Sequence, residues 1–278
     1  MTKLAFMLML LAFAAPAFAS TLDGYDRAAL ADENWKKLHG DAVQAEAKND
    51  PELAAVFKMY VYGDIARQAA ITPVERQLVT LVMLTALQNH SLLPRMTEAA
   101  LNAGATPLHV REALYHVAPY IGFAKVFEAL EQVNAVFASR GIKLPLENQG
   151  TTTDADRFEK GLAFQVKTYG ERINKMRDAT PDYQKHIQDD LSAFCFGDTY
   201  TRGTLNLKIR EMVTMAVIGA IGGADPQFRA HVVGTLDAGT SKEEVIGVIT
   251  AMNPWMGFPR TLNCLRIANE VFAAREKK

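Results

Sequence analysis

The sequence contains two related segments in the same order, and this internal repeat restricts the fold more than any other feature. Residues 60–89 resemble residues 194–223 at a constant offset of 134. Residues 101–137 resemble residues 236–272 at an offset of 135. Glycines and prolines match between the copies, and the offset changes in the loop between the two blocks. The chain is therefore expected to fold as two related halves.

The two halves are expected to meet at a polar linker. Residues 146–153 are polar, contain a glycine and follow Pro145, a composition that is typical of a connection between domains. We predict one domain over residues 20–147 and a second over residues 148–278. Because the linker is short, we expect the halves to pack against each other.

The spacing of apolar residues in both copies is that of an α-helix. An i, i+3, i+4, i+7 stripe predicts a buried helix face in each copy, formed by Leu78, Leu81, Val82 and Thr85 in the first and by Met212, Met215, Ala216 and Gly219 in the second. No alternating run long enough for a strand stands out. The fold class predicted is all-α.

Helix ends are marked by capping residues. Thr72 before Pro73 predicts a helix start, and Gly104 and Gly239 predict helix stops. A capping box is predicted between Thr240 and Glu243.

Both copies also interrupt a helical pattern at a proline that an aromatic residue follows. Pro119 precedes Tyr120, and Pro254 precedes Trp255. Proline removes a backbone donor and disfavours helix in the residue before it. Two interpretations remain open, a shaped cavity wall and a helix-to-helix corner filled by the ring.

The first nineteen residues have the pattern of a secretory signal peptide. Lys3 is a positive n-region, residues 4–15 form an apolar stretch, and Ala17 and Ala19 are small residues at a cleavage site. We predict cleavage after Ala19 and a periplasmic or secreted mature chain that does not associate with the membrane. The alternative is a buried N-terminal helix.

Charge and cysteine content exclude several classes of protein. The net charge is −1 and the pI about 6.6, whereas a nucleic-acid-binding domain is usually strongly basic. Two cysteines, Cys195 and Cys264, exclude a disulfide-rich scaffold but leave one bridge open. The six histidines show no metal-ligand spacing, and we predict no metal.

With these features, the sequence resembles the carboxymuconolactone decarboxylase family of the alkylhydroperoxidase-like superfamily. The resemblance covers nearly all of residues 20–278 and depends on the order and spacing of short motifs. In the second half these are Gly197-Asp198-x-x-x-Arg202, Leu207-Lys-Ile-Arg210-Glu211, His231 eight residues before Gly239, and Trp255-x-Gly257-Phe-Pro259. The first half keeps Gly63-Asp64, Arg76, Gly104, Glu112, His116 and Tyr120-x-Gly122-Phe123.

The resemblance implies two tandem alkylhydroperoxidase-like repeats of about six helices each, in a homo-oligomer that is often a trimer or hexamer. It implies two chemistries, cofactor-free decarboxylation through a histidine and peroxide reduction through a Cys-x-x-Cys pair. The pair would occupy Gly223 and Pro226, or Asn89 and Leu92 in the first half. Without thiols there, we expect no peroxidase activity.

His231 is the main catalytic candidate, because a histidine transfers protons near neutral pH. The first half has Met96 at that position and is expected to be degenerate. Arg229 and Glu211 are further catalytic candidates, and Arg210 is a candidate clamp for a carboxylate. The alternative is that His231 is an ordinary helix residue and that Arg210 and Glu211 belong to an ion pair.

Five other residues are candidates for the site. Glu112, His116 and Tyr120 share one helix face at i, i+4, i+8 spacing, Trp255 is the matching aromatic of the second copy, and His90 is a further, weaker candidate. A buried polar cluster is the alternative for the first three. Asp64 and Asp198 are expected to cap the segments that follow them.

The leading functional hypothesis is an exported, cofactor-free enzyme of this family. It would act on a small carboxylated compound by acid–base chemistry at His231, in a decarboxylation or a related lyase, isomerase or lactone reaction. The second hypothesis is a non-catalytic module that binds a small ligand or holds an oligomer together. Peroxidase activity is a poor third.

Overall fold

The computed structural model describes residues 20–277, and the predicted signal peptide lies outside them. All regular structure in this part of the chain is helical, so the predicted all-α class is confirmed. None of the helices within residues 20–277 combines the length and apolarity needed to cross a bilayer.

The first half is a succession of helices that begins near the predicted mature N-terminus. Its elements are α1 (Arg27–His39), a 3₁₀ turn (Ala45–Lys48), α2 (Pro51–Lys58), a π-helix (Met59–Ile65), α3 (Ala66–Gln68), α4 (Pro73–Ala86), a 3₁₀ turn (His90–Leu92), α5 (Leu93–Asn102), α6 (Pro107–Ile121) and α7 (Phe123–Ser139).

The second half follows a similar, not identical, order after a non-helical connection over residues 140–156. Its elements are α8 (Arg157–Tyr169), α9 (Arg172–Asp178), a 3₁₀ turn (Asp182–Gln184), α10 (Lys185–Asp190), a π-helix (Leu191–Tyr200), α11 (Leu207–Ile221), α12 (Asp225–Asp237) and α13 (Lys242–Glu276). The predicted domain limits at residues 147 and 148 lie in the connection and stay predictions.

The two halves share one hydrophobic core. Helix α4 packs against α11, α11 also packs against α6 of the first half, and α13 packs against α4. The predicted apolar stripes lie at the centre, with Leu78, Leu81, Met215 and Ala216 fully buried. Because each half supplies helices to the other, residues from both can meet in a single cavity.

The helix boundaries differ from the prediction at two points. The predicted box at Thr240 is wrong by one residue, since Ser241 and Glu244 form the capping box of α13. The helical break comes three residues after each proline, at Gly122 (φ 85°) and Gly257 (φ 77°). A positive φ is available to glycine at little cost, so the chain turns there and the prolines remain inside helical turns.

Each repeated Gly-Asp pair ties the π-helix to the first helix of its half. A Cβ at Gly197 would lie 2.1 Å from the carbonyl oxygen of Arg157, so only glycine allows this close approach. The carboxylate of Asp198 then binds the Arg157 side chain. In the first half, Asp64 binds Arg27 in the same way. Both aspartates are structural, but through an ion pair instead of the predicted cap.

Candidate active site

An open cleft of about 710 Å³ lies beside α12 in the second half. Its polar lining comes from five segments of the chain and consists of Tyr120, Gln165, Tyr169, Arg172, Cys195, Gln227 and His231. Tyr120 belongs to α6 of the first half, whereas the other residues belong to the second. The cleft is therefore built between the repeats.

A histidine–carboxylate pair forms one wall of this cleft. Nδ1 of His231 lies 2.8 Å from Oε2 of Glu211, which is fully buried on α11. Since an ionised carboxylate only accepts hydrogen bonds, Nδ1 carries the hydrogen. Among residues 20–277, Nε2 has no hydrogen-bond partner and faces the cleft. The alternative interpretation expected an ion pair that includes Arg210 and Glu211. In the structure the Glu211 carboxylate binds His231 and is not hydrogen-bonded to Arg210.

Two tyrosines fix the other oxygen of Glu211. The hydroxyls of Tyr169 and Tyr200 each donate to Oε1 at 2.9 Å. Burial raises the pKa of both phenols well above the ordinary value, with a further increase from the Glu211 charge. Both therefore remain donors at neutral pH, and the carboxylate holds its orientation towards His231.

The backbone leaves room for this carboxylate at a glycine of α12. A Cβ on Gly234 would lie 2.6 Å from Oε2 of Glu211. The corresponding residue in the first half is Ala99, and the residue that corresponds to Glu211 is Gln77. A small residue at position 234 is thus part of the site.

The imidazole of His231 lies between two aromatic edges. Its ring centroid is 5.7 Å from that of Tyr120 and 6.0 Å from that of Tyr169, both nearly perpendicular. The Tyr120 hydroxyl donates to Tyr200 at 3.2 Å, and the Cys195 thiol donates to Tyr120 at 3.6 Å. A continuous chain of hydrogen bonds therefore runs from Cys195 to Glu211.

Cys195 is the thiol in the cleft lining, and it is not activated. Burial raises its pKa to about 12, whereas a reactive cysteine needs a lowered pKa. Cys195 and Cys264 are both buried and are not bridged. Within residues 20–277 there is also no group of three or more histidine, cysteine or acidic side chains placed to hold a metal ion.

Two sequence-predicted residues lie behind the cleft in a fully buried layer. The Arg210 side chain donates to the carbonyl oxygens of residues 199, 202, 203 and 205 and to Nδ1 of His116. All of its N–H groups are thus engaged, and it is not free to clamp a substrate carboxylate. His116 also binds Thr214 at 3.0 Å. Burial, with Arg210 nearby, lowers its pKa well below the ordinary value, so it is a neutral structural residue.

Three other predicted residues are not brought to the cleft. Arg229 is on α12 but binds Glu270 at the protein surface. His90 pairs with Glu128, at 3.2 Å between Nδ1 and Oε2. Glu112 is held by Arg111 and Arg202. We leave these three out of the proposed site.

Trp255 lies at the counterpart of the cleft in the first half. There it lines a closed space of only about 10 Å³ together with Gln77 and Met96, the residues that align with Glu211 and His231. The Trp255 ring packs edge-on against Phe57, 6.2 Å between centroids. Trp255 therefore fills a corner at the first-half site, whereas its counterpart Tyr120 forms a cavity wall at the second-half site.

Sequence reasoning missed Tyr169, Arg172, Cys195 and Tyr200. The stretch that contains Tyr169 and Arg172 precedes the aligned blocks, so no repeat pattern marked it. Tyr200 lies two residues after the Gly-Asp pair and aligns with Ala66. This difference between the copies, a tyrosine in one and an alanine in the other, was the signal that could have marked Tyr200 as a site residue.

Comparison with known proteins places the chain in a family. The model of the carboxymuconolactone decarboxylase family matches residues 51–135 and again residues 186–270. The chain belongs to the carboxymuconolactone decarboxylase family. Membership supports a decarboxylase-like function at the level of the family, and the tandem-repeat organisation is confirmed.

Individual known proteins are similar to parts of the chain. The 4-carboxymuconolactone decarboxylase of Acinetobacter baylyi is 28% identical over 120 residues, which cover 43% of this chain and 89% of that protein. An uncharacterised 15.0 kDa protein of Paracoccus denitrificans is 33% identical over 93 residues, 33% of this chain and 69% of that one.

A solved structure of similar fold comes from Burkholderia xenovorans. That protein, provisionally named a gamma-carboxymuconolactone decarboxylase subunit, aligns with a TM-score of 0.52 and 18% identity, covering 91% of this chain and 99% of that chain. The likeness shows a shared fold.

Proposed function

We propose that the protein is a carboxy-lyase that decarboxylates a small carboxylated compound in the cleft, without a metal or organic cofactor, by acid–base chemistry at His231. One observation carries the proposal. Nδ1 of His231 is fixed by Glu211, while Nε2 faces a cleft large enough for a small organic acid. A histidine oriented by a carboxylate is a general acid or base that needs no further partner.

The reaction proceeds by loss of CO₂ and protonation of carbon. His231 takes up a proton from water at Nε2, and Glu211 stabilises the resulting imidazolium. The bond from carbon to the substrate carboxylate breaks, and its electron pair moves into an adjacent carbonyl as an enolate. The Nε2 proton is then transferred to carbon, and CO₂ leaves through the open mouth of the cleft.

Arg172 supplies the positive charge that this reaction requires. Among residues 20–277, Arg172 is the one lysine or arginine that lines the cleft. Its guanidinium lies 5.5 Å from the ring centroid of Tyr169. The negative charge of the substrate moves from the carboxylate to the enolate oxygen during the reaction. A nearby cation stabilises both the bound acid and the enolate.

Export and self-association are part of the same proposal. The signal-peptide pattern of residues 1–19 supports a periplasmic or secreted protein. Exposed apolar side chains at matching positions of the two halves support a homo-oligomer; they are Phe123 with Phe127 and Phe258 with Leu262.

The experiment is a CO₂-release screen of carboxylated lactones and keto acids with matched histidine variants. We expect His231→Ala to lower turnover by about 10²- to 10⁴-fold, the usual contribution of a general acid or base. His90→Ala, which removes a histidine outside the cleft, should leave turnover unchanged. Turnover that survives His231→Ala would remove this residue from the mechanism, and ligand binding without turnover would favour a non-catalytic binding module.

A further inference from the structure

Most of the cleft wall is apolar, and its apolar area is much larger than the area that a small polyanionic acid would contact. Around the polar lining lie Ile173, Met176, Leu191, Phe196, Ile218 and Ile221. They come from α9, the second π-helix and α11, so one continuous apolar surface extends outward from His231. A cleft of about 710 Å³ is in the size range that holds a ligand much larger than a six-carbon acid.

Three of these apolar residues are left open to water at the cleft mouth. The exposed fractions are 37% for Leu191, 39% for Met176 and 38% for Ile221. Large apolar side chains that surround the entrance of a concave site mark a surface that a ligand covers. Their position at the mouth indicates that the ligand extends from the histidine to the rim.

The charge of the lining allows for one anionic group. Among residues 20–277 the lining contains Arg172 as its one arginine or lysine, and the side chains of Gln165 and Gln227 carry no charge. Oε1 of Gln165 accepts from Ser192 at 2.8 Å. A second carboxylate would lie against the apolar wall without a partner, and burial of an unpaired charge is strongly unfavourable.

From these observations we infer that the substrate is a monocarboxylate with an extended alkyl or aryl body, not a compact di- or tricarboxylate. The carboxylate lies near Arg172 and His231, and the apolar body covers Ile173, Leu191 and Ile221. This inference rests on the proposed function for the identity of the reacting end. Its apolar part depends only on the shape and chemistry of the cleft.

Binding of a matched series of acids tests the inference without turnover. Isothermal titration calorimetry would compare butanoate, hexanoate and octanoate with the dicarboxylates hexanedioate and octanedioate. We expect affinity to rise with chain length by up to about fourfold per methylene, the value for complete burial. Octanedioate should bind at least tenfold more weakly than octanoate.

Matched variants locate the binding. Arg172→Gln should weaken octanoate by at least tenfold, whereas Arg229→Gln should not change it. Leu191→Asn should reduce the gain per methylene, whereas Leu144→Asn, at a leucine of similar exposure outside the cleft, should not. His231→Ala should still bind octanoate.

The two proposals fail in different ways. Equal or tighter binding of the dicarboxylates, affinity independent of chain length, or binding that is insensitive to Arg172→Gln would overturn this inference. Chain-length-dependent binding without any CO₂ release would leave it standing and would contradict the proposed catalysis. Turnover of a dicarboxylated lactone that requires His231 would overturn the inference about the substrate and would support the proposed catalysis.

Discussion

The Tyr120 ring lies edge-on against the His231 ring, 5.7 Å between centroids, although the two residues belong to opposite halves of the chain. Tyr120 also binds Tyr200, which in turn holds Glu211. The first half, which has neither the histidine nor the glutamate, thus supplies one wall of the site in the second.

Tyr120→Ala is expected to lower kcat/KM by about tenfold or more, because it removes the aromatic edge beside the imidazole and the hydroxyl bound to Tyr200. Tyr120→Phe should lose less, since the ring remains. Steady-state kinetics on the substrate found in the screen would measure both. Trp255→Phe, at the equivalent position of the closed site, is the control and should not affect turnover; an equal loss there would contradict the assignment.

Gly234→Ala is expected to displace the Glu211 carboxylate, since the added methyl group would lie 2.6 Å from Oε2. We expect a fall in kcat of about tenfold or more with little change in the unfolding temperature, because the atom that must move is the end of a side chain. Activity assays and thermal unfolding followed by circular dichroism would separate the two effects.

A double variant shows whether the effect of Gly234→Ala passes through the glutamate. If it does, Gly234→Ala should cost little further activity in a Glu211→Gln background, because the two changes act on one interaction. Additive losses would mean that the methyl group acts elsewhere.

Cys195 is expected to resist alkylation at pH 7, because burial raises its pKa to about 12 and thiolate is the reactive form. Iodoacetamide labelling followed by mass spectrometry should be slow in the native protein and fast after unfolding. A peroxide assay with a dithiol reductant should show no turnover above the level of a Cys195→Ala variant. Rapid native labelling together with peroxide turnover would revive the peroxidase interpretation.

Acid should destabilise the fold between about pH 6.5 and pH 4. Burial, with Arg95 nearby, lowers the pKa of His39 to about 4. The unfolded state therefore binds more protons over this interval, and stability falls as the pH falls. Buried His116 acts in the same direction.

Urea unfolding at several pH values would measure this dependence. His39→Gln should flatten the curve, whereas His186→Gln, at an exposed histidine, should leave its slope unchanged. An unchanged slope in His39→Gln would contradict the assignment.

The sequence predicted the helices and the repeat because both depend on local periodicity and on matching positions. Gly122 and Gly257 show the limit of that reasoning: proline suggested the break, but the positive φ needed for the turn falls on the glycine three residues later. Likewise, Ser241 competes with its neighbour Thr240 for the cap, and only backbone geometry decides between them.

For the site, sequence reasoning selected His231 and Glu211 from the family motifs and Tyr120 from helix spacing, and the structure brings the three together. It could not separate them from Arg210, Arg229 and Trp255, because chemical type does not reveal which way a side chain points. Arg210 is used entirely by backbone carbonyls and His116. Tyr169 and Arg172 escaped because they come from α8 and α9, outside the aligned blocks.

The closed space around Trp255 and Met96 has a consequence for stoichiometry. Of the two related sites that the repeats form within residues 20–277, only the one beside His231 has room for a ligand, so a ligand of this site should titrate a single equivalent per polypeptide. The first repeat is nevertheless required, because its helix α6 places Tyr120 in the wall of the cleft beside His231. Duplication has here produced a chain whose two copies have divided their tasks, one providing the reactive groups and the other enclosing them.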